Sequence, residues 1–156
     1  IGFVQGTHIE VDEGVLVDDF MQTSRSYVYA CGDAAQAREL LSGERQVLGL
    51  YPVAVQQGWI AGKNALGRKQ KYQPQPSMNS LKGLSFQLVV VGRQQGQEIV
   101  SKGRDWMHKF FVHENKLRGF TLLGDISEAG RYLSLLKQQR TLTTWGPDLM
   151  SASCWQ

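Results

Sequence analysis

The chain has 156 residues, an apolar content of 42% and a net charge of +3, enough apolar mass to fill one ordinary core or two small ones. No apolar run reaches the roughly 18–20 residues of a membrane-crossing helix, and two isolated cysteines, Cys31 and Cys154, exclude a zinc ribbon or a disulfide scaffold. Residues 1–50 hold eight acids against three bases, whereas residues 51–156 hold six acids against fourteen bases; the basic residues are scattered singly, unlike a nucleic-acid footprint.

The chain starts at Ile1 without methionine or a basic-then-apolar leader, which predicts a natural N-terminus further upstream and no signal peptide in this stretch. Apolar alternation around Asp12-Glu13-Gly14 predicts two short strands, 8–11 and 15–18, joined by a hairpin turn. Tyr27, Val28, Tyr29 and Ala30 read as a buried apolar strand that ends abruptly at Gly32-Asp33, with Cys31 as a small buried hydrophobe. Ala34 to Leu41 could start a helix, which Ser42-Gly43-Glu44-Arg45 breaks, leaving a loop over 42–50. A helix follows from Tyr51 to Gly67. Pro52 suits its first turn, Gly67 its end, and small residues at Ala54, Gly58, Ala61 or Gly62, and Ala65 leave one face nearly flat.

The basic, proline-bearing stretch after Gly67 reads as a domain crossing, with a boundary near 72–80. Beyond it, Ser85–Val91, Glu98–Ser101, Trp106–His113 and Lys116–Leu123 predict a meander of about four antiparallel strands, with a tight turn at Glu114-Asn115. Asp125 and Glu128 are spaced as a capping box ahead of a helix whose apolar face is Tyr132, Leu133, Leu135 and Leu136. Gly124-Asp125 is accordingly structural.

The pattern Thr23-x-x-x-x-Val28-Tyr29-Ala30-x-Gly32-Asp33, preceded by GVLVDDFMQT (Gly14 to Thr23), resembles the second flavin-binding signature of FAD-dependent pyridine nucleotide oxidoreductases. FTLLGDISEAGRYLSLL (Phe120 to Leu136) is similar to the C-terminal domain of the rubredoxin reductase, NADH oxidase and nitrite reductase branch. No Gly-x-Gly-x-x-Gly loop occurs, so the resemblance is to a C-terminal fragment. It implies an α/β fragment, the closing part of an FAD-binding Rossmann-like domain at 1–72, then a linker at 73–80. A small α+β domain with an antiparallel sheet and a C-terminal helix occupies 81–156.

The implied cofactor-binding residues are Gly32, Asp33, Tyr51, Pro52 and Val53. Asp33 would accept a ribitol hydroxyl of FAD through a charge-assisted bond, with Gly32 allowing close backbone approach. The helix start at Tyr51, Pro52 and Val53 would turn its N–H groups and dipole toward the electron-rich pyrimidine edge of the flavin. Thr23 either contacts the cofactor or orders its own turn. No catalytic residue is assigned to this stretch.

The implied activity of the intact protein is passage of electrons from NAD(P)H through FAD to an acceptor. The fragment alone is expected to be inactive and to hold FAD weakly or not at all. Expected partners are the remainder of its own FAD and NAD(P) domains, a small acidic electron-carrier protein steered by the basic half, and a second copy in a homo-oligomer. Neither nucleic acid nor membrane is expected, and two lone thiols suit the cytoplasm. The alternative reading is a free-standing protein-interaction module with a relic flavin-like segment. His8, His108 and His113 offer no metal site: the last two are five apart and fall on opposite strand faces. Trp145, Met150 and Trp155 are expected to pack on the body.

Overall fold

The computed structural model describes residues 1–141 apart from Lys82 and Leu84; the tail residues Trp145, Met150, Cys154 and Trp155 lie outside them. The chain divides into two compact units, Ile1–Gln75 and a second one beginning at Pro76.

In the first unit β1 (Val15–Leu16) pairs in parallel with β2 (Ala35–Arg38), and β2 pairs antiparallel with β3 (Arg45–Gln46). The expected hairpin at 8–18 is reduced to one bridge, Val11 to Val15, with Leu16 N–H donating to Glu10 O at 3.0 Å. Ala34–Leu41 is not the start of a helix. Alanine favours helices, but Ala35 and Ala37 are buried between two strand partners, and tertiary pairing overrides propensity. Gln36 secures the pairing from a buried position. Its Oε1 accepts the Gly14 N–H at 3.1 Å, and its Nε2 donates to Asp12 Oδ2 at 3.1 Å and Arg45 O at 3.2 Å.

Tyr27–Ala30 departs from the expected buried strand as well. It keeps one bridge, Gln22 to Tyr29, and Tyr27 is 91% exposed in a left-handed conformation at φ 66°. Only Tyr29 and Ala30 reach the core of Val17, Met21, Ala35, Ala37, Ile60, Ala61 and Tyr72. The long helix α1 spans Tyr51–Ala65 with proline in its first turn, and its chain leaves through Gly67 at φ 76°. Its buried face is Val53, Gln57, Ile60, Ala61 and Asn64, spaced three and four apart as a one-sided helix requires. The flat small-residue face is only partly used: Gly62 and Ala65 are exposed.

The second unit carries five strands, β4 (Met78–Leu81), β5 (Leu88–Gly92), β6 (Gln97–Lys102), β7 (Met107–His113) and β8 (Lys116–Leu123), then α2 (Ala129–Gln138). Their order is β4-β5-β8-β7-β6, all antiparallel. The meander expectation holds for β6, β7 and β8. It fails for β5, which pairs with β8 and not with β6, because hairpin signals specify only neighbours joined by short turns. Glu114 and Asn115, at φ 52° and 55°, form the expected tight turn, the left-handed pair that matches strand twist.

β8 runs through the centre of the sheet, where Gly119 has a steric task. A Cβ there would stand 2.2 Å from Arg93 O, so only glycine lets the chain after β5 close on β8. Phe110 and Phe120 face each other across β7 and β8, and the Tyr132 ring meets both edge-on, at 4.8 and 5.8 Å between centroids.

The capping box does not form. Asp125 Oδ1 accepts the Ser127 N–H at 2.9 Å in a turn of its own, α2 is preceded by Glu128 without a side-chain cap, and Glu128 instead pairs with Arg131 at 3.1 Å. The backbone and hydroxyl of Ser127 hold the Asp125 carboxyl below the usual range. A depressed folded-state pKa contributes stability above the ordinary carboxylate range and loses it as pH falls through the depressed value. Asp125→Ala is therefore expected to lower the unfolding midpoint at neutral pH, by an amount that shrinks on acidification. A thermal melt series across pH checks this.

Candidate functional site

The candidate site is a turn seated on a helix start. Gly32–Ala34 forms one 3-10 turn between the Tyr29-Ala30 segment and β2. Gly32 sits at φ 68°, and a Cβ on it would stand 3.3 Å from Ala54 Cβ in the first turn of α1. Two facts thus converge on glycine: a left-handed backbone, and close approach to a helix. The approach brings Gly32 and Asp33 together with the Tyr51-Pro52-Val53 helix start.

Asp33 is exposed, and its carboxylate has no partner among the described residues. Pro52 has no N–H, and the Ala54 N–H donates to Leu50 O at 2.9 Å. Tyr51 and Val53 therefore carry the helix N–H groups that lack an intrahelical acceptor. The two side chains differ: Tyr51 is 84% exposed, whereas Val53 is buried, so Val53 can serve a ligand only through its backbone.

A carboxylate with free acceptor capacity beside a positive helix end suits a ligand that offers hydroxyl donors at one place and electron-rich acceptors at another. Thr23 orders its own turn. Its hydroxyl accepts the Arg25 N–H at 3.1 Å and donates to Arg25 O at 3.3 Å. Cys31 is exposed and not buried as the sequence suggested, because the chain turns outward before Gly32. Among the described residues no group of three or more His, Cys, Asp or Glu side chains could hold a metal ion. No helix among them is long and apolar enough to cross a membrane.

Sequence reasoning missed Gln57. It lies in the middle of α1, 2% exposed, and its Oε1 accepts the Gly32 N–H at 2.8 Å. The available signal was a long amide at four-residue spacing from Val53 and seven from Asn64, on a face whose remaining members are apolar. His108 is the corresponding buried polar group in the second unit. It uses Nε2 on Asp125 O at 2.7 Å; a carbonyl only accepts, so Nε2 carries the proton. His113 is exposed, on the opposite face from His108.

Residues 3–58 match the family described as pyridine nucleotide-disulphide oxidoreductase. The NADH-rubredoxin oxidoreductase of Clostridium acetobutylicum is 29% identical over 131 residues, covering 81% of this chain and 33% of that protein. The nitric oxide reductase FlRd-NAD(+) reductase of Aeromonas salmonicida is 31% identical over 144 residues, covering 86% of this chain and 34% of that one. The crystal structure of the Clostridium acetobutylicum NADH:rubredoxin oxidoreductase superposes with a TM-score of 0.73 at 26% identity, over 99% of this chain and 39% of that chain. The chain thus spans about a third of the length of the curated relatives it matches. With a family match over residues 3–58 and this likeness through both units, the chain is similar to part of a pyridine nucleotide-disulphide oxidoreductase.

Proposed function

We propose that the chain is part of an FAD-dependent NAD(P)H oxidoreductase and supplies one wall of its flavin site. Residues 1–72 are the closing part of the FAD-binding domain, 73–80 the crossing, and 81–156 an interface-type domain. The observation that carries this reading is the exposed, unpartnered Asp33 carboxylate on a turn pressed against the first turn of α1. These residues fit FAD. Asp33 offers free acceptor oxygens for ribitol hydroxyls, Gly32 lets the turn close on α1 beside the helix start, and Tyr51 and Val53 offer backbone N–H groups to the pyrimidine edge.

When bound, FAD supplies the redox chemistry, accepting a hydride from NAD(P)H and passing electrons to an acceptor. The contribution of this chain is to bind and orient. A carboxylate hydrogen bond to a hydroxyl positions the chain of the cofactor, and the helix dipole favours electron density at its positive end by about 0.3–1 kcal/mol.

The partners follow from what α1 leaves uncovered. Tyr51, Val55, Trp59 and Leu66 make an exposed apolar stripe opposite the buried face, so α1 is apolar on two sides, the mark of a helix enclosed by further structure. The remainder of the FAD and NAD(P) domains covers it in this reading. A small acidic electron carrier, a second copy of the protein and a cytoplasmic location complete the proposal.

The test is direct. The gene product that carries these residues is expected to purify with flavin absorbance, to release FAD on denaturation, and to bleach when NADH or NADPH is added without oxygen. Residues 1–156 alone are expected to be colourless and inert. A gene product that binds no flavin after incubation with FAD overturns the function. A yellow fragment that oxidises NADH overturns the division of labour.

A further inference from the structure

We propose that Gln57 is a positioning residue for the cofactor, holding the Gly32-Asp33 turn in the orientation that presents the Asp33 carboxylate; this rests on the flavin reading above. A primary amide at 2% exposure is costly unless its polar atoms are used. Gln57 spends its oxygen on the Gly32 N–H, at 2.8 Å. With that N–H pinned and its Cα face against Ala54, Gly32 has little freedom to rotate about its left-handed φ of 68°, and the direction of the next residue, Asp33, is set with it. Tyr72, a member of the core, lies near the amide: burial pushes its phenol up and the Gln57 side chain opposes that rise, while its hydroxyl makes no hydrogen bond among the described residues.

Asn64 provides the contrast. It lies on the same buried face but clasps other segments, donating to Phe20 O at 2.8 Å and Gln70 O at 2.9 Å and accepting the Gln70 N–H at 2.8 Å. Of the two amides, only Gln57 bonds to the turn. α1 is therefore tied at one level to loops and at another to the ligand-facing backbone.

FAD affinity and the bound flavin's visible spectrum, read on flavin-free gene product reconstituted with FAD, test the assignment. Gln57→Met removes the acceptor at similar size and is expected to weaken FAD binding about tenfold, the effect of one buried hydrogen bond, with a shifted flavin spectrum. Gln57→Glu keeps an acceptor oxygen and is expected to recover most of the affinity. Asn64→Ala is expected to lower the melting temperature and leave FAD affinity unchanged when measured well below the melt.

Wild-type affinity in Gln57→Met, or equal loss in Gln57→Glu, overturns the inference. If Gln57→Met does not fold, amide exchange of Gly32 in the flavin-free wild-type protein decides. Protection like the interior of α1 supports the tether, and exchange at a free-loop rate overturns it. Asp33→Ala in the same series separates the two levels: normal FAD binding there sinks the flavin reading, whereas loss there with unaltered Gln57→Met sinks only this one.

Discussion

Asp33→Ala in the gene product is expected to weaken FAD binding about tenfold to a hundredfold, the range set by roughly 1.5–3 kcal/mol for a hydrogen bond to a charged group. The reason is geometric as well as electrostatic. The carboxylate is exposed, has no described protein partner, and stands on a turn fixed against α1, so nothing in this unit competes for its oxygens. Asp33→Asn keeps an acceptor but loses the charge, and is expected to fall between alanine and wild type. For the same reason neither change should disturb folding by more than about 0.5 kcal/mol, the usual range for a surface substitution. Titration of flavin-free protein with FAD, paired with a denaturant melt, checks both halves. An Asp33→Ala protein that binds FAD like wild type shows that the carboxylate is not a ligand.

Phe120→Ala is expected to destabilise the second unit by about 3–5 kcal/mol, the range for emptying an aromatic core position. Phe120 is fully buried on the central strand β8, opposite Phe110 on β7, and packs edge-on against Tyr132 of α2. Removing it takes away apolar burial, an aromatic pair worth about 0.5–1.5 kcal/mol, and one of the two ring contacts between Tyr132 of α2 and the sheet. The hole would lie between the sheet face and α2, and a hydrogen-bonded sheet gives little when a side chain on its face is removed, so little of the loss is recovered. Urea unfolding followed by tryptophan fluorescence measures it. A loss below about 1.5 kcal/mol would mean that this cluster is not the core of the unit.

Legibility differed between kinds of feature. α1, with Pro52 in its first turn and Gly67 after its end, and the tight Glu114-Asn115 turn were readable because each depends on local backbone preferences of the residues concerned. The same holds for the apolar face of α2 at Tyr132 and Leu136. Ala34–Leu41 was misread because alanine carries no intrinsic strand signal; the pairing of β2 with β1 and β3 and the three hydrogen bonds of Gln36 come from residues up to 24 positions away. Cys31 and Tyr27 were placed inside because an apolar run reads as burial, whereas the chain turns outward there. Asp125 and Glu128 had the spacing of a capping box, but Asp125 closes an earlier turn on Ser127 and the helix starts four residues after it.

By itself the sequence determined the Gly32-Asp33 turn, the proline-led helix and the family likeness, because glycine, proline and a short carboxylate act through the few bonds around them. Only the tertiary structure decided that the turn lies on the first turn of α1, that β5 joins β8, and that Gln57 reaches Gly32 across 25 positions of chain. Such contacts depend on which distant surfaces fill each other's volume, and close packing is a property of the folded whole that no local pattern encodes.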